Sequence, residues 1–306
     1  MIERGIVLGV DGGGTKTDVM VADLTGAVLA SVSTGGTNHE SVGVERMIAV
    51  LAVAIDEVLA IAESARDQVD GAVFGLAGVD WPSDVVLVGD ALDGLRLGGR
   101  RLVVNDSRIA LRAGCSQPWG IVSGVGTGSV TAGVSRAGEW LRTMAVGWGE
   151  PSGSGTLVRQ SLHAIAAAHH GAAPATTLTV AYLDALDQPD VPSMFEVITR
   201  GRLRVGSHRA PLTTRAADGG DIVARTIVAS MATQQAELVI GVARQLDLID
   251  DEFELVTSGG VHAGGGLFSD EFASVLVRGC PGATIVPLTT SPAPGAISLA
   301  LDLLER

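Results

Sequence analysis

Residues 6–22 read IVLGVDGGGTKTDVMVA: an apolar, β-branched run from Ile6 to Val10, then Asp11-Gly12-Gly13-Gly14-Thr15, then a second strand-like run from Thr17 to Ala22. Two such runs around an open glycine turn predict a β-hairpin. Asp23-Leu24-Thr25-Gly26 supplies a further turn and Ala27 to Ser33 a third strand, so the chain opens as an antiparallel meander. Beyond it, Ile48, Leu51, Ile55, Val58 and Ala62 recur at helical spacing, with Glu45, Arg46, Asp56, Glu57 and Glu63 left for the wet side, which predicts a helix over 43–64. A strand from Gly71 to Leu76, a helix from Pro82 to Leu92 and a strand from Arg101 to Val104 follow. Asn105-Asp106-Ser107 closes that strand and can cap a short helix from Arg108 to Ala113.

From Trp119 the same order begins again. A strand from Gly120 to Ser123 leads into Gly124-Val125-Gly126-Thr127-Gly128, then a strand from Ser129 to Ser135, a turn at Arg136-Ala137-Gly138 and a strand from Glu139 to Ala145. A glycine-rich loop over 147–155, helices over 156–170 and 221–246, a strand from Glu254 to Thr257, a helix over 268–278, a strand over 283–287 and a last helix over 294–304 complete the pattern. Three antiparallel strands followed by alternating helices and strands, twice, predict an α/β protein with two mixed five-stranded sheets flanked by helices and a ligand cleft between them. The corresponding domains are 1–117 and 118–306, with the last helix packing back on the first. Residues 171–220, with Pro174, Pro189, Pro192 and Pro211, read as an insertion of undefined structure.

Composition narrows the function. Lys and Arg total 21 against 34 Asp and Glu, a formal charge of −13, which argues against nucleic acid or an anionic membrane surface and for a small-molecule partner. Apolar stretches fall short of the ~18 residues of a membrane helix, and glycines and Asp11 occupy the place of a secretory apolar segment, so a cytoplasmic protein is expected. Cys115 and Cys280 stand without a CxxC partner or a nearby His, giving neither a disulfide framework nor a zinc site; both are expected as core thiols. The Arg200, Arg202, Arg204, Arg209 and Arg215 stretch reads as a solvated loop, and His169-His170 as a complement to a helix C-terminus.

Each half therefore carries a hairpin turn of glycine and hydroxyl residues. Glycine permits positive φ and close approach of phosphate oxygens to backbone N–H groups, while Thr15 and Thr127 add hydroxyl donors. Two such turns facing each other can clamp a polyphosphate. Asp11, at the strand end before the first turn, could hold Mg²⁺ through water, and Lys16 is close enough in sequence to lend a positive charge. Either turn alone could equally be a plain hairpin. A dinucleotide fold is rejected, because Ser129 stands where the last Gly of GxGxxG belongs and a strand, not a helix, follows the turn. Asp106, read locally, is a helix N-cap; a carboxylate there could also orient a hydroxyl and accept its proton.

The strings Gly9-Val10-Asp11-Gly12-Gly13-Gly14-Thr15-Lys16-Thr17, Thr37-Asn38-His39, Asn105-Asp106, Ser123-Gly124-Val125-Gly126-Thr127-Gly128-Ser129, Gly147-Trp148-Gly149 and Ser258-Gly259-Gly260-Val261 span almost the whole chain. In that order they resemble the actin-like ATPase superfamily, with its duplicated ribonuclease H-like domains, and more narrowly the BadF/BadG/BcrA/BcrD ATPase family that includes N-acetylglucosamine kinases. The resemblance implies ATP and Mg²⁺ as cofactors. It makes Asp11, Gly13, Gly14, Thr15 and Lys16 the first phosphate motif, Gly126, Thr127 and Gly128 the second, and Gly259 and Gly260 the adenosine motif. It also implies Asp106 as catalytic base, with Asn38, Gly78, Asp106, Trp148 and Glu150 around the substrate, and a kinase forming the 6-phosphate of N-acetylglucosamine or a related amino sugar. A homodimer is compatible with it, relatives often being dimers.

Two departures bear on the sugar and leave the phosphoryl chemistry intact. The family's usual Gly-Asp-Glu-Gly-Ser is here Glu150-Pro151-Ser152-Gly153-Ser154-Gly155, leaving Glu150 to replace the acidic contact, and Ala77 stands where glucosamine-type enzymes often carry a hydroxyl. The alternative within the same family is an ATP-driven activator of a radical dehydratase or reductase. Such activators hold an iron–sulfur cluster on cysteine pairs near a dimer axis, a context that Cys115 and Cys280 lack.

Overall fold

The computed structural model describes residues 5–144 and 152–305. Its contacts divide the chain into two units, one comprising the chain up to Val122 together with the segment from Leu288 onward, the other Ser123–Pro287. The boundary thus falls inside a strand, and the C-terminal segment belongs to the first unit.

The first unit is built from β1 (Ile6–Gly12), β2 (Lys16–Asp23), β3 (Val28–Gly35), α1 (His39–Val42), α2 (Val44–Ile61), β4 (Val69–Leu76), α3 (Pro82–Leu92), β5 (Arg100–Asn105) and α4 (Asp106–Gly114). Its sheet runs β3-β2-β1-β4-β5. β1 pairs antiparallel with β2 and parallel with β4, and β5 extends the parallel side. Alternation along β1 feeds two cores. Ile6, Leu8 and Val10 join Phe74, Leu51 and Ile55 on the face covered by α2, whereas Val7 joins Val73, Ile109, Ile297 and Ala300 on the other.

The second unit begins within β6 (Gly120–Val125) and continues through β7 (Ser129–Val134), β8 (Trp140–Arg142), α5 (Ser154–His169), α6 (Leu178–Leu186), α7 (Val191–Thr199), α8 (Ala210–Asp218) and α9 (Ile222–Gln245). It then runs through β9 (Phe253–Ser258), α10 (Gly260–Ala263), α11 (Gly266–Gly279) and β10 (Ala283–Pro287), before α12 (Ala293–Leu304) returns to the first unit. The sheet order β10-β9-β6-β7-β8 repeats the first sheet strand for strand, β6 taking the place of β1 and β7 that of β2. The glycine turns therefore occupy equivalent positions in two mixed five-stranded sheets flanked by helices.

The segment over 171–220, whose structure the sequence left undefined, forms three α-helices, α6, α7 and α8. Pro192 and Pro211 lie in the first turns of α7 and α8, where a missing N–H forfeits no intrahelical hydrogen bond. Asp221 ties the segment to α9, accepting from Ala224 N at 2.9 Å as N-cap and from the Thr176 and Thr177 hydroxyls at 2.9–3.0 Å. Cys115 and Cys280 are buried and form no disulfide, as expected of core thiols. Among the described residues no helix is long and apolar enough to cross a membrane.

Close approach of α12 to β1 and α4 depends on missing side chains. A Cβ on Gly9 would come within 2.9 Å of the Ile297 backbone nitrogen, and one on Gly295 within 2.0 Å of the Ile109 carbonyl oxygen. Replacing Gly295 with Ala, which in an open helix stabilises, is therefore expected to destabilise by about 1–3 kcal/mol through overpacking. Urea unfolding checks this: the midpoint should fall, and an unchanged or raised midpoint would contradict the packing.

Candidate active site

In the first unit the turn between β1 and β2 is closed by Gly13 N donating to Lys16 O at 2.9 Å, leaving Gly14 and Thr15 exposed. Neighbouring loops buttress it from behind. Thr37 N and Asn38 N both donate to Gly13 O at 3.0 and 3.2 Å, and Ala77 N donates to Gly12 O at 2.8 Å. Beneath, the buried hydroxyls of Thr17 and Thr37 meet at 2.8 Å. The turn is a supported structure with one open side, not a loose hairpin.

Asp11 pairs across the sheet with Asp18 on β2 and Gly75 on β4, at the ends of the parallel strands where open α/β sheets bind ligands. Burial raises its pKa to about 7, the negative charges of Asp106 and Asp18 push in the same direction, and Lys16 offsets only part of this. Asp11 and Asp106 are thus close enough for their charges to interact.

Lys16 is not at liberty to serve a phosphate alone. Its ammonium lies 2.9 Å from Asp18, a carboxylate that also accepts from the hydroxyls of Ser33 and Ser291. Burial pushes the Asp18 carboxyl up, but the hydrogen bonds from Ser33, Lys16 and Ser291, with the Lys16 charge, outweigh it and hold the group below the usual range. Asp18 was not singled out from sequence. Its only signal is the hairpin register, which sets it opposite Asp11.

The helix α4 starts two residues earlier than the sequence suggests, at Asp106, and its cap is Asn105. Asn105 Oδ1 accepts from Ser107 N at 3.0 Å and from the Ser107 hydroxyl. Asp106 is therefore the first helical residue and not the capping side chain, half-buried at the carboxyl end of β5. The other end of the Asn105 amide donates to Asp80 Oδ1 at 2.9 Å and to Val79 O at 3.2 Å, fixing the loop after β4. On its other flank that loop meets Asn38: a Cβ on Gly78, whose φ is +86°, would lie 2.7 Å from Asn38 Oδ1.

Asn38 Oδ1 accepts from Glu40 N at 2.9 Å, capping α1, so a ligand would be met by the amide nitrogen. Asp11, Asn38, Gly78 and Asp106 are in this way assembled at one end of one sheet. Asp80 joins them as an additional carboxylate that the sequence did not flag, because its contact with Asn105 bridges 25 residues.

In the second unit Gly126 N donates to Gly128 O at 2.8 Å across the equivalent turn. The start of α5 grips it: Ser154 N donates to Gly126 O at 2.9 Å and Gly155 N to Thr127 O at 3.1 Å. Gly259, with φ at +89°, presses its backbone against the same turn, where a Cβ would stand 2.4 Å from Val125 O. Gly259 lies between β9 and α10 and Gly260 is the first residue of α10; both are exposed, and Gly259 packs against the backbone at Val125 and Gly126. Trp148 and Glu150 lie outside the described residues.

Among the described residues no group of three or more His, Cys, Asp or Glu side chains could hold a metal ion. Asp11 nevertheless suits a cation delivered by a ligand, since a positive charge would relieve the burial and repulsion that raise its pKa.

The chain is 29% identical over 300 residues to an N-acetylmuramic acid/N-acetylglucosamine kinase of Clostridium acetobutylicum, covering 96% of this chain and 97% of that one. It is 29% identical over 320 residues to N-acetyl-D-glucosamine kinase of Dictyostelium discoideum, covering 98% and 99%. The fold is shared with a Chromobacterium violaceum structure assigned as an N-acetylglucosamine kinase (TM-score 0.70, 23% identity, 98% and 99% covered). It is shared too with a ROK family glucokinase from Streptomyces griseus in complex with glucose and AMPPNP (TM-score 0.59, 19% identity, 98% and 99% covered). The model of the BadF/BadG/BcrA/BcrD ATPase family matches residues 8–300, and the chain belongs to that family.

Proposed function

We propose that the protein is an ATP-dependent kinase of N-acetylglucosamine or a related amino sugar, most simply at the 6-hydroxyl. The observation that supports this reading is that Asp11 and Asp106 lie at the carboxyl ends of the same sheet's parallel strands and interact through their charges, with Asn38 packed on Gly78 in the loop after the intervening strand β4. A sugar hydroxyl is a poor nucleophile. A carboxylate at its proton orients the oxygen toward the γ-phosphorus and accepts the proton as the phosphoryl group transfers. Asp106 has that role, while the Asn38 amide and the Gly78 backbone hold neighbouring sugar groups. The names of the Clostridium and Dictyostelium relatives support the substrate class.

The nucleotide phosphates are assigned to the two glycine turns, Gly13, Gly14, Thr15 and Lys16 in the first unit and Gly126, Thr127 and Gly128 in the second, and its adenosine to Gly259 and Gly260. Mg²⁺ arriving with the triphosphate would neutralise its developing charge and lie toward Asp11. The activator reading has no support in the cysteines: Cys115 and Cys280 are both buried, far apart in sequence and in opposite halves of the chain, whereas a shared cluster needs thiol pairs at a surface.

Three outcomes follow. In a coupled ADP-release assay across N-acetylglucosamine, glucosamine, N-acetylmuramic acid, glucose and mannose, an amino sugar should give the highest kcat/KM; release with no member of the panel would refute the kinase assignment. The Asp106→Asn variant should lose about 10²–10⁴-fold in kcat with the MgATP affinity little changed, and full turnover would remove Asp106 from its role.

The third concerns Asp11. Its folded pKa, raised to about 7, means that folding favours its protonated form, so its contribution to stability worsens as pH rises from about 4 through 7. Asp11→Asn should therefore stabilise the ligand-free protein at pH 8 more than at pH 4 in paired urea titrations. Binding a cation needs the ionised form, so MgATP affinity of the unaltered protein should rise through pH 7, and the variant should bind more weakly with that slope gone. Parallel pH dependences for the two proteins would contradict the assignment.

A further inference from the structure

A buried polar cluster beneath the second turn takes no part in the chemistry above. Gln235, midway along α9, is fully buried, as are Ser123 on β6, Thr131 on β7 and Ser152 before α5. Gln235 Nε2 donates to Ser123 Oγ at 2.8 Å and to Thr131 Oγ1 at 2.9 Å, and Gln235 Oε1 accepts from the Ser152 hydroxyl. A primary amide has two N–H donors, and both are used. Ser123, accepting from Gln235, is left to give its own proton to His262 Nε2 at 3.0 Å. His262 is then the neutral Nδ1–H tautomer, in keeping with burial that lowers its pKa to about 4 and with the edges of Phe268 and Phe272 around its ring.

The members of this cluster are spaced around the turn. Ser123 directly precedes Gly124 and Thr131 lies three residues beyond Gly128, on the two strands that the turn joins. Ser152 is two residues before Ser154, whose amide holds Gly126 O. His262 is two residues after Gly260. An apolar residue at position 235 could fill the space but could not set the strands and the α5 start in one arrangement, and buried amides with every group satisfied are rigidifying.

We propose that Gln235 is a positioning residue for nucleotide: through Ser123, Thr131 and Ser152 it fixes the Gly126–Gly128 backbone against the β- and γ-phosphates. The proposal rests on the assignment of that turn to nucleotide, and its test reads binding directly so that the two can fail separately. Equilibrium dissociation constants for MgATP and for AMP, which lacks those phosphates, are compared in the full chain and in Gln235→Leu and Thr131→Val, with the KM of N-acetylglucosamine and thermal stability measured alongside.

Gln235→Leu should weaken MgATP by about tenfold, the loss expected for roughly one buried polar arrangement. AMP affinity and sugar KM should stay within about twofold, and Thr131→Val, which strands one amide proton, should weaken MgATP by about threefold. Unchanged MgATP affinity in folded variants, or equal loss for MgATP and AMP, would overturn the proposal, whatever happens to stability. If Gln235→Leu does not fold, Thr131→Val decides by the same criterion. An unaltered protein that binds MgATP yet phosphorylates no sugar would refute the kinase reading and leave Gln235 to be judged on binding; one that binds no MgATP would refute the turn assignment and this proposal with it.

Discussion

Strand β1 is confined on every side, covered on both faces, paired antiparallel with β2 and parallel with β4. That confinement sets the chemistry at its end. A chain leaving such a strand emerges at the carboxyl end of the parallel half, where no neighbouring strand continues and backbone groups face a ligand. Asp11 is the residue there, too buried to be solvated fully and too near Asp106 and Asp18 for comfort. Ionised Asp11 is disfavoured at this point, and either a proton or a cation delivered by a ligand would relieve it. The same strand ends supply Asp106 through β5 and Gly78 through β4, so the sheet, and not any single loop, sets the spacing of the candidate acid–base, metal-facing and substrate-facing groups.

The second unit repeats the strand order with different means of support. Its turn is braced by the α5 amides, the Gly259 backbone and the buried Gln235 amide. The first turn is braced by the Thr17–Thr37 hydroxyl pair and the amides of Thr37, Asn38 and Ala77. Equivalent positions in a duplicated fold have thus been stabilised by unrelated side chains. What the two share is a backbone loop with one open side and glycine where a side chain would obstruct it, which is what a phosphate requires.

The fold was largely legible in the sequence because its signals are local. The β-branched runs around Asp11 and around Gly126, and the helical spacing from Ile48 to Ala62, each report on contiguous residues. The segment over 171–220 was not legible, since Pro192 and Pro211 look like breakers unless one knows that they sit in first helical turns. α1 and α10, four residues each, are too short to show a period. In the site, Asp106 and Asn38 were visible as parts of short strings. Asp18, Asp80 and Gln235 were not, because a carboxylate in a hairpin, a carboxylate in a loop and a glutamine in a helix each read as solvent-facing until distant partners are placed beside them.

At the centre of this account is direct transfer of the γ-phosphoryl group to a sugar hydroxyl at the end of the first sheet. Phosphorus-31 NMR of a reaction containing the protein, MgATP and N-acetylglucosamine tests it most directly. A phosphomonoester resonance coupled to the two C6 protons, growing in step with ADP, is the expected result; ADP accompanied by inorganic phosphate alone would contradict it.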